Sequence, residues 1–390
     1  MSHENGKFLF NKEVITIINS KVPITFINEQ IKCNTTKNYT LWKLLSSLLF
    51  IICFIQIVMI IYLIKKKNDY SNEILLKKIE KKINSSKSKI DESLNISKSE
   101  IHISMSLDNN AIYPTLVSMT SALENNDNNN NILVYYLLLS HDFNVKNLEI
   151  FESLKKNYDF KIKYFYIPNI FSDMVKWNES DTIYYKLLIP LMFPELERMI
   201  FLDGDTLIFK DISEMYNLPF NGNYVLGYPF HTPYILDNLG IKSKYYINGR
   251  VILINIPEIR KNNKDIELLN YTVHNDKKVK FLEQDTLNYV FYDKIGFLPL
   301  KYGIYLYGNF NEFKNNYMEN LRVMLNMTEL KNAIEDPSIV HLCSCNPKIW
   351  NKTSKHEKGF NHICKKYQKE FYYYANKTDY YLDIYNKYMK

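Results

Sequence analysis

Glycine is scarce, ten residues in 390, and no Gly-x-Gly-x-x-Gly follows the first strand-like run, which counts against a nicotinamide or flavin site. Five cysteines occur, Cys33, Cys53, Cys343, Cys345 and Cys364, with no Cys-x-x-Cys pair, so a zinc site is not expected. Cys343 could pair with Cys345 or Cys364 in an oxidising compartment; unpaired core thiols are the alternative. Charge of one sign is not concentrated: the net +7 is spread along the chain, and no basic stripe interleaved with aromatics stands out. The sequence therefore points to no nucleic-acid partner. No basic start leads straight into an apolar stretch near the N-terminus, so a cleavable signal is not expected. Tyrosine, asparagine and lysine are abundant, and we read that excess as coding bias.

At 390 residues the chain has room for one large catalytic domain and further segments. Residues 44–64 form an uncharged run rich in Leu and Ile. At about 1.5 Å per residue it is long enough to cross a hydrocarbon core of roughly 30 Å as a helix. Residues 1–43 are a polar, unassigned N-terminal tail. Residues 65–100, rich in Lys, Ser, Asn and Glu, read as a partly helical stalk. The lysines of the stalk outnumber Lys32, Lys37 and Lys43 on the other side, which by the positive-inside rule favours a cytosolic C-terminal portion.

After the stalk, strand-like apolar runs at 101–107, 132–139 and 161–167 alternate with helix-like stretches that end at 124, cover 143–157 and cover 184–193. The tract 125–131 is a low-complexity loop. This alternation predicts an open α/β sheet with ligands at the carboxyl ends of the strands. A further strand is expected at 250–256, then helices at 257–274 and 281–291. The basic, aromatic tail 366–390 could cover the sheet or rest on a membrane surface; we favour packing.

The chemistry centres on residues 198–209, Arg-Met-Ile-Phe-Leu-Asp-Gly-Asp-Thr-Leu-Ile-Phe. A buried strand delivers Asp203 and Asp205 to a turn, where both carboxylates can lean towards one cation. Gly204 between them lets the backbone approach a ligand closely. Hard divalent ions suit such a pair, and they also sit on phosphates. Two chemistries fit. In a sugar-nucleotide transferase the aspartates hold a metal ion on the diphosphate. In a phosphohydrolase of the haloacid-dehalogenase kind Asp203 is the nucleophile and Asp205 the general acid. That second signature should open its domain, yet a long α/β stretch precedes it here, and no adjacent aspartate pair follows to hold magnesium.

Three further segments stand out. Asp108-Asn109 follow the first strand and would share the carboxyl rim with Asp205. Glu283-Gln284-Asp285 start a helix, where the simplest reading is an N-cap with a solvated first turn. His341 ends a short apolar strand, with Lys348 seven residues on; read alone, these are a core histidine and a surface lysine.

Taken together and in order, residues 184–190 (Tyr-Tyr-Lys-Leu-Leu-Ile-Pro), 201–206, 246–249 (Tyr-Ile-Asn-Gly), 283–288 and 341–350 resemble glycosyltransferase family 8 over 101–350. The resemblance implies a GT-A fold, an open mixed sheet flanked by helices, for a catalytic domain at 101–365. It also implies a UDP-sugar donor, a manganese or magnesium ion, a carbohydrate-bearing acceptor and transfer with retention. By position it makes Asp203, Asp205 and His341 metal ligands. Asp108, Asn109, Lys186, Gly204, Asn248 and Lys348 become donor-binding residues, and Glu283 and Gln284 the catalytic pair at the donor sugar. Retention needs either a covalent intermediate or attack from the leaving-group face, and we favour the latter. The pattern departs from the family in several places: Lys186 stands for Arg, Asn248-Gly249-Arg250 for Asn-Ala-Gly, Glu283 for Asp, and Lys348-Ile349-Trp350 for Lys-Pro-Trp. Arg250 puts a large cation near the donor, so a degenerate, membrane-anchored UDP-binding or scaffold protein is the alternative. Members with one N-terminal span resemble type II, signal-anchored Golgi or endoplasmic reticulum proteins, a lumenal placement opposite to the one the lysines favour.

Overall fold

Apolar runs bounded by turn residues become the strands, and the computed structural model describes residues 98–390 apart from 129, 177–179, 231–238, 242–245, 276–277, 306–325, 346 and 353–361. The expected membrane span at 44–64 and nearly all of the stalk lie outside the described residues. Among those residues no helix is long and apolar enough to cross a membrane.

The chain runs β1 (Ser99–Leu107), α1 (Ile112–Glu124), β2 (Asn131–Leu139), α2 (Leu148–Glu152), β3 (Phe160–Tyr166), α3 (Ile189–Met192), β4 (Arg198–Leu202), β5 (Thr206–Ile208), α4 (Ser213–Tyr216) and β6 (Val225–Pro229). It continues through β7 (Ile247–Asn255), α5 (Ile256–Lys261), α6 (Lys264–Asn275), α7 (Leu282–Val290), β8 (Ile295–Phe297), β9 (Tyr302–Tyr305), α8 (Met327–Glu335), β10 (Ile339–His341), α9 (His362–Ala375) and α10 (Tyr381–Met389). Seven strands form one mixed sheet in the order β3-β2-β1-β4-β7-β6-β8, and β5-β10-β9 form a second, small sheet. β7 runs antiparallel to both β4 and β6, while β1 is parallel to β2 and β4. This is a GT-A-like α/β fold, a mixed sheet flanked by helices.

Strand burial follows from composition. β2 and β4 are apolar on both faces and lie under cover on both. Each fully buried aliphatic side chain there stabilises by roughly 1.5–3 kcal/mol. α1 is buried from Pro114 to Leu123 because it lies against β5, β1 and α9 at once. A helix buried all round needs such a position.

Three expected helices differ. The one over 143–157 shrinks to α2 between 3-10 turns, Val145–Asn147 and Ser153–Lys156, with Asn144 accepting from the Lys146 amide at 3.1 Å. The one over 184–193 is a 3-10 turn, Thr182–Leu188, leading into α3, where Pro190 is tolerated only in the first turn. The one over 257–274 is split between α5 and α6 by Asn263 at φ +54°, a left-handed position that asparagine tolerates and that ends a helix. The C-terminal residues are not a loose tail. α9 packs on α1, and Tyr388 of α10 packs its ring against Tyr113 and Trp350, with centroids 6.3 and 6.2 Å apart.

Candidate metal centre

The order β3-β2-β1-β4 reverses direction between β1 and β4, and a crevice opens at the carboxyl ends of strands flanking such a switch. β1 and β4 are parallel there, Ser104 opposite Phe201, so Asp108 and the Asp203–Asp205 turn emerge on one rim. The turn is held from below. Thr206 Oγ1 donates to the Asp203 carbonyl at 2.9 Å and lies 2.9 Å from Ser118 Oγ of α1. Ser121 Oγ accepts from the Ile208 amide at 2.9 Å. The Asp203 amide donates to the Arg250 carbonyl at 3.0 Å, so the β4–β7 pairing runs on into the turn. Antiparallel pairing of β5 with β10 sets His341 opposite Thr206, and the Leu342 amide donates to the Asp205 carbonyl at 2.8 Å. Residues 136 positions apart in the chain thereby meet.

One ligand atom each from Asp203, Asp205 and His341 lie within 4.8 Å of one another. His341 Nε2 is 3.1 Å from Asp205 Oδ1 and 4.0 Å from Asp203 Oδ2. Two carboxylates and an imidazole form a mixed oxygen and nitrogen set that suits manganese better than the all-oxygen shell magnesium prefers, so these residues fit a manganese-type ion of the kind the resemblance implies. Cations surround them. Lys348 Nζ donates to Asp205 Oδ2 at 2.6 Å, Arg250 donates to Asp203 Oδ2 at 2.8 Å, and Lys186 Nζ is 4.0 Å from Asp203 Oδ1. Burial works against ionising Asp205, but the Lys348 and His341 charges outweigh it and hold the carboxyl well below its usual value. For His341, burial pulls the imidazole down, yet the Cys343 side chain and the Asp205 carboxylate lift it to about 10. Arg250 and Lys348 are likewise raised against the pull of burial by the carboxylates beside them.

The first turn of α7 closes the site from below, and it is not solvated: Glu283, Gln284 and Asp285 are 0%, 3% and 1% exposed. That corrects the N-cap reading. Leu282 at the helix start has φ +48°, a strained position costing roughly 1–3 kcal/mol. Asp285 holds it by accepting the Lys280 and Phe281 amides at 2.7 and 2.9 Å and the Tyr246 hydroxyl. Glu283 Oε1 takes Lys186 Nζ at 2.9 Å, and Lys186 also donates to the Gly249 carbonyl at 3.0 Å. Gln284 is consumed within the protein: its Oε1 accepts Asn248 Nδ2 and the Gly249 amide at 2.8 and 3.1 Å, and its Nε2 donates to Tyr246 at 3.1 Å.

The fold thus brings Lys186, Asp203, Asp205, Asn248, Glu283, Gln284, His341 and Lys348 into one bonded cluster. Asp108 and Asn109 form a neighbouring turn instead. Asp108 Oδ1 accepts the amides of Asn110 and Ala111 at 2.8 and 3.2 Å. Asn109 ties down the next loop through the Asn144 amide at 3.0 Å and the Asp142 carbonyl at 3.2 Å. Gly204 has a packing reason of its own, since a Cβ there would lie 2.3 Å from Thr115 Oγ1. The disulfide also differs from the pairings expected: Cys345 bonds Cys364, with Cα atoms 5.9 Å apart, because β10 and its 3-10 turn bring Cys345 to the first turn of α9. The sequence reading missed Ser118, Ser121 and Thr206 as supports of the turn. The one available signal was a run of small hydroxyl residues on an otherwise apolar helix.

A carboxylate–imidazole triad ringed by cations, at the switch point of a mixed α/β sheet, is an arrangement of side chains able to hold a metal ion. The family model described as Glycosyl transferase family 8 matches residues 102–354, and the chain belongs to that family. It is 26% identical over 202 residues to General stress protein A of Bacillus subtilis (strain 168), covering 50% of this chain and 65% of that relative, so less than two thirds of the relative's length is spanned. Among solved structures it resembles the bifunctional glycosyltransferase WbbM in its apo form, with a TM-score of 0.60 at 21% identity, covering 78% of this chain and 55% of that one. It also resembles the galactosyltransferase LgtC solved with donor and acceptor sugar analogues, with a TM-score of 0.59 at 16% identity, covering 72% of this chain and 96% of that one. At these identities the likeness to the two structures shows the fold.

Proposed function

We propose that this glycosyltransferase moves a hexose, glucose or galactose, from a UDP-sugar to a glycan, glycolipid or glycoprotein acceptor, with retention and with a manganese or magnesium ion. The observation that carries the reading is the Asp203–Asp205–His341 triad with Lys348 2.6 Å from Asp205. When bound, the ion supplies Lewis-acid stabilisation of the charge that develops on the UDP leaving group. Lys348, half-exposed at the rim, adds a positive charge at the same place and holds the diphosphate. Asn248 and Gln284 act mainly by bonding to each other, which fixes the floor beneath the donor sugar. Asp108, aligned on the rim, reads the uracil edge.

Burial bears on the retaining route. Glu283 is fully buried and bonded to Lys186, and Gln284 is an amide with both ends engaged. Neither arrangement favours a free nucleophile, which supports attack by the acceptor hydroxyl from the face that the phosphate leaves. The hydroxyl proton passes to the departing phosphate oxygen.

The chain is anchored by residues 44–64 as a type II membrane protein of the Golgi or endoplasmic reticulum. The Cys345–Cys364 bond supports the lumenal placement, since disulfides persist in oxidising compartments, and it stands against the lysine distribution. A second reading, a binding or scaffold protein without turnover, is favoured by one observation: Arg250 already occupies Asp203.

Calorimetric titration of the full chain with UDP, with and without manganese, beside an Asp203→Ala, Asp205→Ala double variant, tests the donor site. Binding that needs both metal and aspartates is expected. A folded chain that binds no UDP under any metal condition overturns the transferase reading. UDP binding with no consumption of any UDP-sugar in a panel favours the second reading.

A further inference from the structure

Arg250 stands apart from the other cations of the site. Lys348 reaches Asp205 from the half-exposed rim, and Lys186 is buried on Glu283. Arg250 lies between two carboxylates. It donates to Asp203 Oδ2 at 2.8 Å, and its other terminal nitrogen is 3.8 Å from Glu283 Oε1. Its backbone amide is fixed on Asn248 Oδ1 at 2.9 Å, so the guanidinium is a long arm on a firm base.

The two acceptors are not equally satisfied. Asp203 is a member of the triad and is needed as a ligand. Glu283 is fully buried; Lys186 bonds one of its oxygens, and Oε2 has no hydrogen-bond partner among the described residues. A buried carboxylate oxygen without a donor is costly, and a guanidinium, with five donors in a planar fork, is the group best able to relieve it. A positive charge bound at Asp203 would repel the guanidinium from its present place, and Glu283 is the acceptor within reach.

We propose that Arg250 is an internal counterion that holds Asp203 while the triad is free of metal and passes to Glu283 when Asp203 serves as a ligand. The inference rests on the metal-site reading above. It makes Arg250 a determinant of metal affinity, because Asp203 is released only when its bond to Arg250 is given up. It also couples occupancy of the triad to the carboxylate beneath the donor sugar.

The test is manganese binding by the full chain without nucleotide, followed by the electron paramagnetic resonance signal of free Mn2+. Arg250→Met keeps the stem and removes the charge. It should tighten Mn2+ binding by about tenfold or more, the size of one charge-assisted hydrogen bond, and should raise the stabilisation against heat that Mn2+ confers. Glu283→Gln should weaken Mn2+ binding in the wild-type background and have a clearly smaller effect in the Arg250→Met background, because there is no arginine left to receive. Equal or weaker binding by Arg250→Met overturns the proposal, as does a Glu283→Gln effect of the same size in both backgrounds. If Glu283→Gln does not fold, the Arg250→Met affinity and heat-stability comparison decides alone. Failure of every folded variant, wild type included, to bind Mn2+ overturns the metal-site reading and this inference with it.

Discussion

Gly204 admits two explanations that a pair of substitutions separates. Read from the sequence, it lets the backbone approach a ligand; read from the structure, it makes room for α1. A Cβ at this position would lie 2.3 Å from Thr115 Oγ1, while the next nearest atoms, Thr115 Cβ and Cα, are at 3.5 and 3.6 Å. The clash is therefore with one hydroxyl. That hydroxyl belongs to a fully buried side chain and has no hydrogen-bond partner among the described residues. Gly204→Ala must push Thr115 against the surrounding core, an overpacking cost of about 1–3 kcal/mol. Thr115→Ala removes the obstructing oxygen. In that background Gly204→Ala should cost close to nothing, so the coupling between the two sites should be about 1–3 kcal/mol and favourable. Urea unfolding of the four proteins measures it directly. UDP and Mn2+ titrations on the double variant supply the second arm, with donor binding expected to survive. A Gly204→Ala penalty that persists in the Thr115→Ala background refutes the packing argument. Restored stability with lost UDP binding assigns Gly204 to ligand approach after all.

Lys186→Met strands the buried Glu283 carboxylate, and breaking a buried pair costs about 3–5 kcal/mol; Arg250 at 3.8 Å should keep the loss near the lower figure. Adding Glu283→Gln should recover most of it, as read by urea midpoints. Two pH effects follow from the metal-free site. The depressed Asp205 carboxyl contributes stability that is full above its ordinary 3.8 and is lost as pH falls below it, so urea midpoints in chelator should drop through that range and Asp205→Asn should flatten the drop. His341, raised to about 10 from 6.5, contributes stability that is full below 6.5 and is lost as pH rises towards 10. Because a ligand imidazole must be neutral, Mn2+ affinity should rise by about tenfold per pH unit across that window, with one proton released per ion by calorimetry in buffers of different ionisation enthalpy. Cys364→Ser opens a loop between cysteines 19 residues apart and should cost about 3 kcal/mol. The same loss should appear on adding reductant to the wild type.

The strands were legible because their apolar runs are short, continuous and flanked by turn residues, so β1, β2, β3 and β7 fall within a few residues of expectation. The helices were legible in part: α1 and α7 end close to expectation, whereas Pro190 and Asn263 interrupt two patterns that otherwise read as periodic, and 3-10 turns on either side shorten α2. Among the site residues, those with unusual chemistry for their setting could be found: two aspartates after an apolar strand, and a histidine closing another. Their supports could not. Ser118 reaches Thr206 across 88 positions of sequence, and nothing local to either residue marks the pair. The first turn of α7 was misread for a related reason. Three polar residues in a row suggest solvent, and only the surrounding fold, with Tyr246, Lys186 and Asn248 each supplying a partner, makes burying all three tolerable.

Charge explains why so many cations crowd a cluster of carboxylates that could hold a metal. Asp203, Asp205 and Glu283 bring three negative charges, and Lys186, Arg250 and Lys348 bring three positive ones. His341, lifted to about 10, adds a fourth positive charge at neutral pH. The metal-free cluster is thus nearly balanced without any ligand, which offsets the repulsion between carboxylates this close together. Seating a divalent ion requires the imidazole to lose its proton and leaves the cluster with two positive charges in excess. The diphosphate of a UDP-sugar carries two negative charges. Balance returns only when ion and diphosphate are both present, so each should raise the affinity for the other by the same factor. Titrations with a UDP-sugar, with and without manganese, therefore probe more than presence or absence of binding: the difference between them reports how far these seven side chains act as one charge-matched unit.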